Sequence, residues 1–328
     1  MKVAVVGAGI MGAAAAWQLV RRGAEVVVHE QFELDHARGS SHGRSRIVRL
    51  SYPDPTWVRL AEEARAGWAE LEAETGRTLL ELNGLVEVAS SREVTSAAGL
   101  SAEGVEHRFL SSDEACVLGV AVPDGWVALH EPSGGIARAD LALSAFIDAA
   151  HVRGAHVEER SPVVDLDALD ADVVVVTAGA WIGRFFPDLP LKVTRESVAY
   201  FRYEGQPLPS VVELDAHSAH AFFALHDPVH GLKAGAHHAG AETNPDDVAD
   251  PDPALVARIA GWVGERLPLA DPSPVGAETC LYTTTPDECF VLERRGRLVV
   301  GSACSGHGFK FAPAVGARLA ELALSRTA

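Results

Sequence analysis

The chain has 328 residues, 48% hydrophobic and 22% charged, and its 28 Lys and Arg against 45 Asp and Glu give a net charge of −17. This supplies enough apolar material for two domains or one large one and excludes a disordered or fibrous chain. The acidic balance argues against nucleic acid or an anionic membrane surface as a partner, since both need clustered Lys and Arg.

Residues 3–6 form a short valine-rich run, as a buried parallel strand requires. Gly7-Ala8-Gly9-Ile10-Met11-Gly12 follows; the pattern then predicts a helix over 9–22, Gly23 at its C-terminus, and a second strand over 24–29 ending at Glu30. Gly7 permits the tight turn and Gly9 lets the backbone approach a pyrophosphate. Gly12, with Ala13 and Ala16, lets the helix pack close to the sheet. The helix start at Gly9, Ile10 and Met11 offers N–H groups and a positive dipole end to phosphates. Glu30 is placed to accept hydrogen bonds from a ribose hydroxyl. Strand, glycine turn, helix and acid together read as a dinucleotide-binding βαβ unit.

A polar loop over 35–44 carries Gly39-Ser40-Ser41-His42-Gly43, and an extended stretch follows over 46–50. Pro53 and Pro55 are expected to break the chain before a helix over 57–75, and a strand is expected over 85–89. A helix over 140–152 and strands over 156–159 and 173–176 come next. Between 191 and 275, runs such as 197–203 and 219–225 alternate like an antiparallel sheet, and Pro251 and Pro253 bracket a turn before a helix over 255–267. A strand over 298–301, a glycine-rich loop over 304–311 and a helix over 314–324 finish the chain. The fold class is α/β. A Rossmann-like domain is assembled from 1–80, 137–188 and 281–328, and 81–136 with 189–280 build a second, mainly antiparallel α+β domain. The ligand is expected at the carboxyl ends of the parallel strands, within reach of the loop around His42.

The four cysteines, Cys116, Cys280, Cys289 and Cys304, form no C-x-x-C pair and are too sparse for a disulfide scaffold, so a reducing cytoplasm is the expected compartment. Lys2 and the apolar stretch to Val20 resemble a signal peptide, but glycines punctuate the stretch and a strand follows at once. His217, His220, His226, His230, His237 and His238 cluster in sequence. Only His226 and His230 have helical metal spacing, and Pro228 between them opposes a helix, so no metal site is expected. No G-x-S-x-G elbow supports a serine hydrolase.

Four later segments occur in a telling order. They are Gly39-Ser40-Ser41-His42-Gly43 with Arg46 and Arg49; Gly231-Leu232-Lys233-Ala234-Gly235-Ala236-His237; Cys280-Leu281-Tyr282-Thr283; and Ser305-Gly306-His307-Gly308-Phe309-Lys310-Phe311. With the first unit they resemble monomeric sarcosine oxidase and its relatives, flavoenzymes of the D-amino-acid-oxidase type. The resemblance implies FAD, bound by the discontinuous domain, and a secondary (N-methyl or cyclic) amino acid oxidised to an imine with oxygen reduced to hydrogen peroxide. It implies that Cys280 bonds covalently to the flavin. Lys233 is implied near flavin N5 and associated with oxygen activation, and Arg46 is a second arginine beside the flavin. Arg49 and Lys310 would hold the substrate carboxylate, and Tyr282 and His237 would line the substrate cavity. Ser41, His42 and Ser45 would wrap the cofactor, and Gly306, His307, Gly308 and Phe309 would belong to the loop around flavin and substrate. A monomer is expected.

Taken singly, these residues read otherwise. Arg46 and Arg49 suit an exposed surface, Lys233 a solvated strand, and Cys280 a buried structural thiol. An arginine fork and an ammonium converging on one carboxylate would fix an amino acid's orientation. If 46–50 is extended, Arg46 and Arg49 point to opposite faces and do different jobs. Glycines at 306 and 308 permit close backbone approach to a planar ring. The segment Phe222-Phe223-Ala224-Leu225 carries no tyrosine where relatives often place cavity aromatics, so sarcosine itself is not secured as the substrate. The rival readings are a D-amino acid or imine oxidase, an amine dehydrogenase of the same fold, and a non-catalytic flavin-binding subunit of a complex.

Overall fold

In the computed structural model of the chain, which describes residues 1–90, 95–214 and 221–325, strand β1 (Lys2–Val6) lies inside a parallel sheet, its apolar residues buried on both faces. A continuous valine run demands cover on both sides, and the helices supply it. The strand order is Val291–Arg295, Leu298–Ser302, Val173–Val176, β1, β2 (Glu25–His29) and His156–Glu158; only the edge strand Val291–Arg295 is antiparallel. One face is covered by α1 (Ile10–Arg21) packed between the helices Ala139–Val152 and Ala312–Leu324. A Cβ on Gly316 would stand 2.6 Å from the backbone of Ala14, so two helices touch backbone to backbone there. Ile182 and Phe186 pack with Val174, Val176 and Val300 on the other face.

Strand β3 (Ser45–Val48) begins a small sheet with Gly135–Arg138 and Leu80–Glu81. Helix α2 (Pro55–Thr75) starts at Pro55 itself. Proline is tolerated at a first helical position because its missing N–H has no intrahelical partner there; Asp54 caps the end by accepting from the Thr56 N–H at 2.8 Å. The expected break is therefore a helix start. Trp68 of α2 and Trp17 of α1 meet Phe146 at ring separations of 5.3 and 5.4 Å, all three fully buried.

The second sheet runs Ala241–Glu242, Lys192–Arg202, Gly231–His237, Ala221–Asp227, Ser210–Leu214, Leu85–Ala89, Val127–Glu131, Arg108–Leu110, and Gly276–Thr284 also pairs with Lys192–Arg202. All its pairings are antiparallel except that between Ser210–Leu214 and Leu85–Ala89. Helix Pro253–Arg266 buries Ile259, Trp262 and Val263 against the cluster containing Phe201. Strand Gly276–Thr284 runs straight through the expected domain boundary between 280 and 281. His217, His220 and the start of the expected run 219–225 lie outside the described residues; its strand is Ala221–Asp227.

Candidate active site

A cavity of about 750 Å³ lies between the two sheets. The carboxyl ends of β1, Val173–Val176 and Leu298–Ser302 open on it, and Gly231–His237 with Gly276–Thr284 form the opposite wall. Apart from Gly12, every residue expected at the site lines this cavity.

At one end, Gly7 takes φ of 100°, and a Cβ there would stand 2.6 Å from the Thr177 carbonyl oxygen. A Cβ on Gly12 would lie 1.9 Å from the Gly7 oxygen, so Gly12 packs behind the cradle. Glu30 is buried; its carboxylate accepts the N–H groups of Ala8 and Phe32, both at 2.9 Å, with His36 Nε2 at 3.5 Å. Burial opposes its ionisation, but the contacts from His36, Phe32 and Ala8 together hold the carboxyl below its usual range. Ser41 Oγ accepts the N–H of Ile10 at 3.0 Å and so ties the polar loop to the start of α1.

Arg46 organises that loop, reaching the carbonyl oxygens of Ser45, Ser40 and His42 at 2.8, 2.9 and 2.5 Å. His42 Nε2 and Ser45 Oγ are buried with no partner in the protein. Burial, with Arg46 beside it, pushes the His42 imidazole down to about 4. A glycine cradle, a helix start whose N-cap Gly9 has no side chain, an acid at the second strand and these two unpartnered polar atoms fit a flavin dinucleotide.

Arg49 and Lys310 both stand against Tyr52 at the far end, Arg49 over the ring and Lys310 at its hydroxyl. The Arg49 guanidinium lies 4.3 Å and the Lys310 Nζ 5.7 Å from the centroid of Tyr52. Lys310 Nζ donates to the Tyr52 hydroxyl at 3.0 Å and to the His307 carbonyl at 2.6 Å. Burial, then Arg49, drives the Lys310 ammonium well below its ordinary value. Arg49 donates to the Ser51 carbonyl at 2.5 Å. The segment is fixed by the buried Glu131, which accepts the N–H groups of Leu50 and Ser51 at 2.8 and 2.9 Å. Arg46 and Arg49 thus have separate partners, although both line the same cavity.

Lys233 lies in the middle of strand Gly231–His237 and is 4% exposed, not solvated. Its Nζ is 3.4 Å from Glu278 Oε1. Burial, then Arg46, lowers the ammonium to about 8, against the attraction of Glu278. Tyr200 donates its hydroxyl to the same carboxylate. Cys280 sits two residues along from Glu278, and Tyr282 two further, so one face of the strand presents all three. Burial raises the Cys280 thiol to about 11, opposed by Arg46 and Lys233. His237 Nδ1 lies 3.4 Å from the Tyr282 hydroxyl. Gly306 takes φ of 72°, and a Cβ on it would meet both His237 and Tyr282 at 2.4 Å. A Cβ on Gly308 would stand 1.8 Å from the Ala303 oxygen. These glycines make room for the protein's own groups. Glu278, Tyr200, Tyr52 and Glu131 escaped the sequence reading; the period-two position of Glu278 before Cys280 was the signal available for it.

A dinucleotide cradle that opens on a cation-lined cavity between a parallel and an antiparallel sheet defines a flavin-dependent oxidoreductase. Residues 2–322 match the family model described as FAD dependent oxidoreductase, and the chain belongs to that family. It is 34% identical to the peroxisomal sarcosine oxidase of Homo sapiens over 98% of this chain and 92% of that protein. It is 31% identical to a monomeric sarcosine oxidase of Streptomyces avermitilis, over 99% of this chain and 94% of that one. The fold is also that of NikD, an unusual amino acid oxidase essential for nikkomycin biosynthesis, with a TM-score of 0.86 at 24% identity over 99% of this chain and 94% of NikD.

Proposed function

We propose that the protein oxidises a secondary amino acid, N-methyl or cyclic, to its imine, with FAD as oxidant and oxygen reduced to hydrogen peroxide. The observation that carries the reading is the convergence of Arg49 and Lys310 on Tyr52 at one end of a cavity whose other end is a dinucleotide cradle. The sarcosine oxidase relatives support the substrate class. Bound FAD supplies the two-electron oxidation of the carbon–nitrogen bond. Arg49 and Lys310 anchor the substrate carboxylate by charge-assisted hydrogen bonds. His237 and Tyr282 wall the cavity. Burial holds His237 well below its usual value, so no imidazolium repels a cationic substrate there. Lys233 keeps a positive charge in the wall at neutral pH and favours charge transfer to oxygen.

Covalent attachment of the cofactor through Cys280 belongs to the same proposal, supported by the place of this thiol in the cavity wall, which Arg46 and Lys233 also line. None of the four cysteines forms a disulfide. No helix among the described residues is long and apolar enough to cross a membrane. A monomer in the cytoplasm is the state we propose.

Oxygen uptake and peroxide release on adding sarcosine, pipecolate or proline test the reaction. Dye reduction without oxygen uptake would make the protein a dehydrogenase. Acid precipitation tests the linkage: flavin should stay in the wild-type pellet and leave the Cys280→Ala pellet, and flavin kept by the variant would exclude this cysteine.

A further inference from the structure

His238 and Glu288, which have no role above, meet His237, a residue of the cavity wall. One ring nitrogen of each histidine and one carboxylate oxygen lie within 4.8 Å of one another. His238 Nε2 is 3.3 Å from Glu288 Oε1, yet it is shut away from solvent and makes no hydrogen bond. Two ligands of a tetrahedral ion with bonds of about 2.0–2.1 Å stand about 3.3–3.4 Å apart. The separation suits two atoms facing one ion. Both residues also adopt left-handed backbone, φ of 56° at His238 and 57° at Glu288, a conformation uncommon outside glycine and enriched where function demands it.

The surroundings suit a ligand set. The contact of His237 Nδ1 with the Tyr282 hydroxyl, at 3.4 Å, is of the kind that orients a metal-binding imidazole. His307 Nε2 lies 3.2 Å from the Glu288 carbonyl oxygen and ties that turn to the cavity. The pair singled out by spacing is otherwise engaged: His226 Nδ1 contacts the Gly231 carbonyl at 3.1 Å, and His230 Nδ1 contacts Asp227 at 3.0 Å.

We propose that His237, His238 and Glu288 form a site for a divalent ion of zinc type, and that its occupancy reversibly inhibits oxidation. This proposal departs from the expectation of no metal site, which rested on sequence spacing alone. The ligands were illegible because the fold, not a repeat spacing, brings Glu288 to the end of strand Gly231–His237. An ion here immobilises the ring of His237, which lines the substrate cavity. The inhibitory half rests on the oxidase reading above; the binding half does not.

The test is calorimetric titration of EDTA-treated holoenzyme with zinc, alongside His238→Asn and Glu288→Gln. Asparagine tolerates left-handed backbone, and the flavin spectrum reports the folding of both variants. Wild type should bind one ion per chain, and each variant should bind at least about tenfold more weakly. Turnover without zinc should be unchanged in both. Zinc inhibition should disappear in step and be reversed by EDTA in wild type. Absent binding, or equal binding by all three proteins, overturns the site. Binding that these substitutions weaken but that leaves turnover unaffected overturns the inhibitory half. A chain inactive on secondary amino acids would still report the binding, so the two failures are distinguishable.

Discussion

Lys233 Nζ and Glu278 Oε1 lie 3.4 Å apart in the wall of the cavity, with the Lys233 ammonium buried and lowered to about 8. The lysine alone invites a solvated reading, and its partner comes from a strand forty-five positions away. Together they are a cation whose charge depends on its neighbour.

Glu278→Gln therefore removes an attraction that raises the lysine, leaving burial and Arg46 to depress it further. The charge in the wall should be lost at lower pH than in wild type. Reoxidation by oxygen, followed by stopped flow across about pH 6 to 10, should show its alkaline limb moved acidward. Lys233→Met should abolish that limb and slow reoxidation while leaving anaerobic reduction largely intact. An unmoved limb in Glu278→Gln would separate Lys233 charge from oxygen reactivity.

Lys310→Met removes one of the two cations held against Tyr52. Hydrogen bonds to charged groups are worth about 1.5–3 kcal/mol, so kcat/KM for a free amino acid should fall roughly 10- to 100-fold. An ester or amide of the same substrate should show far less change. Equal losses for acid and ester would contradict carboxylate anchoring.

Gly306→Ala places a Cβ 2.4 Å from both His237 and Tyr282, on backbone already at φ of 72°. Overpacking and a strained φ each cost about 1–3 kcal/mol. Thermal unfolding should come earlier, and substrate binding should weaken more than flavin retention, because the clash falls on the substrate wall.

Glu30 has a depressed folded pKa, so its stabilisation is present above the unfolded carboxylate pKa and is lost as pH falls through the folded value. Glu30→Ala leaves the N–H groups of Ala8 and Phe32 without their acceptor. A loss of about 1–3 kcal/mol should appear in thermal melts at neutral pH and shrink in acid. Unlinked FAD, in a Cys280→Ala background, should also leave more readily.

Much of the molecule was legible because one local pattern settled each element. Valine runs gave the parallel strands, and the glycine turn with Glu30 gave the cradle. Pro55 misled because proline punctuates a helix start as readily as a chain break. The burial of Lys233 was invisible because strand alternation does not say which face meets another domain. Tyr52, Glu131 and Tyr200 act through contacts between segments far apart in sequence, which no spacing rule reports. The close fit of Gly306 against His237 and Tyr282 was likewise invisible, because it joins segments far apart in the chain.

The most direct measurement is anaerobic mixing of the purified protein with sarcosine and, separately, with dimethylamine, which lacks the carboxylate. The account predicts that the flavin band bleaches with sarcosine or a related secondary amino acid, that dimethylamine leaves it unchanged, and that Arg49→Ala slows the bleaching. Bleaching equally fast with the amine, or unaffected in Arg49→Ala, would contradict it.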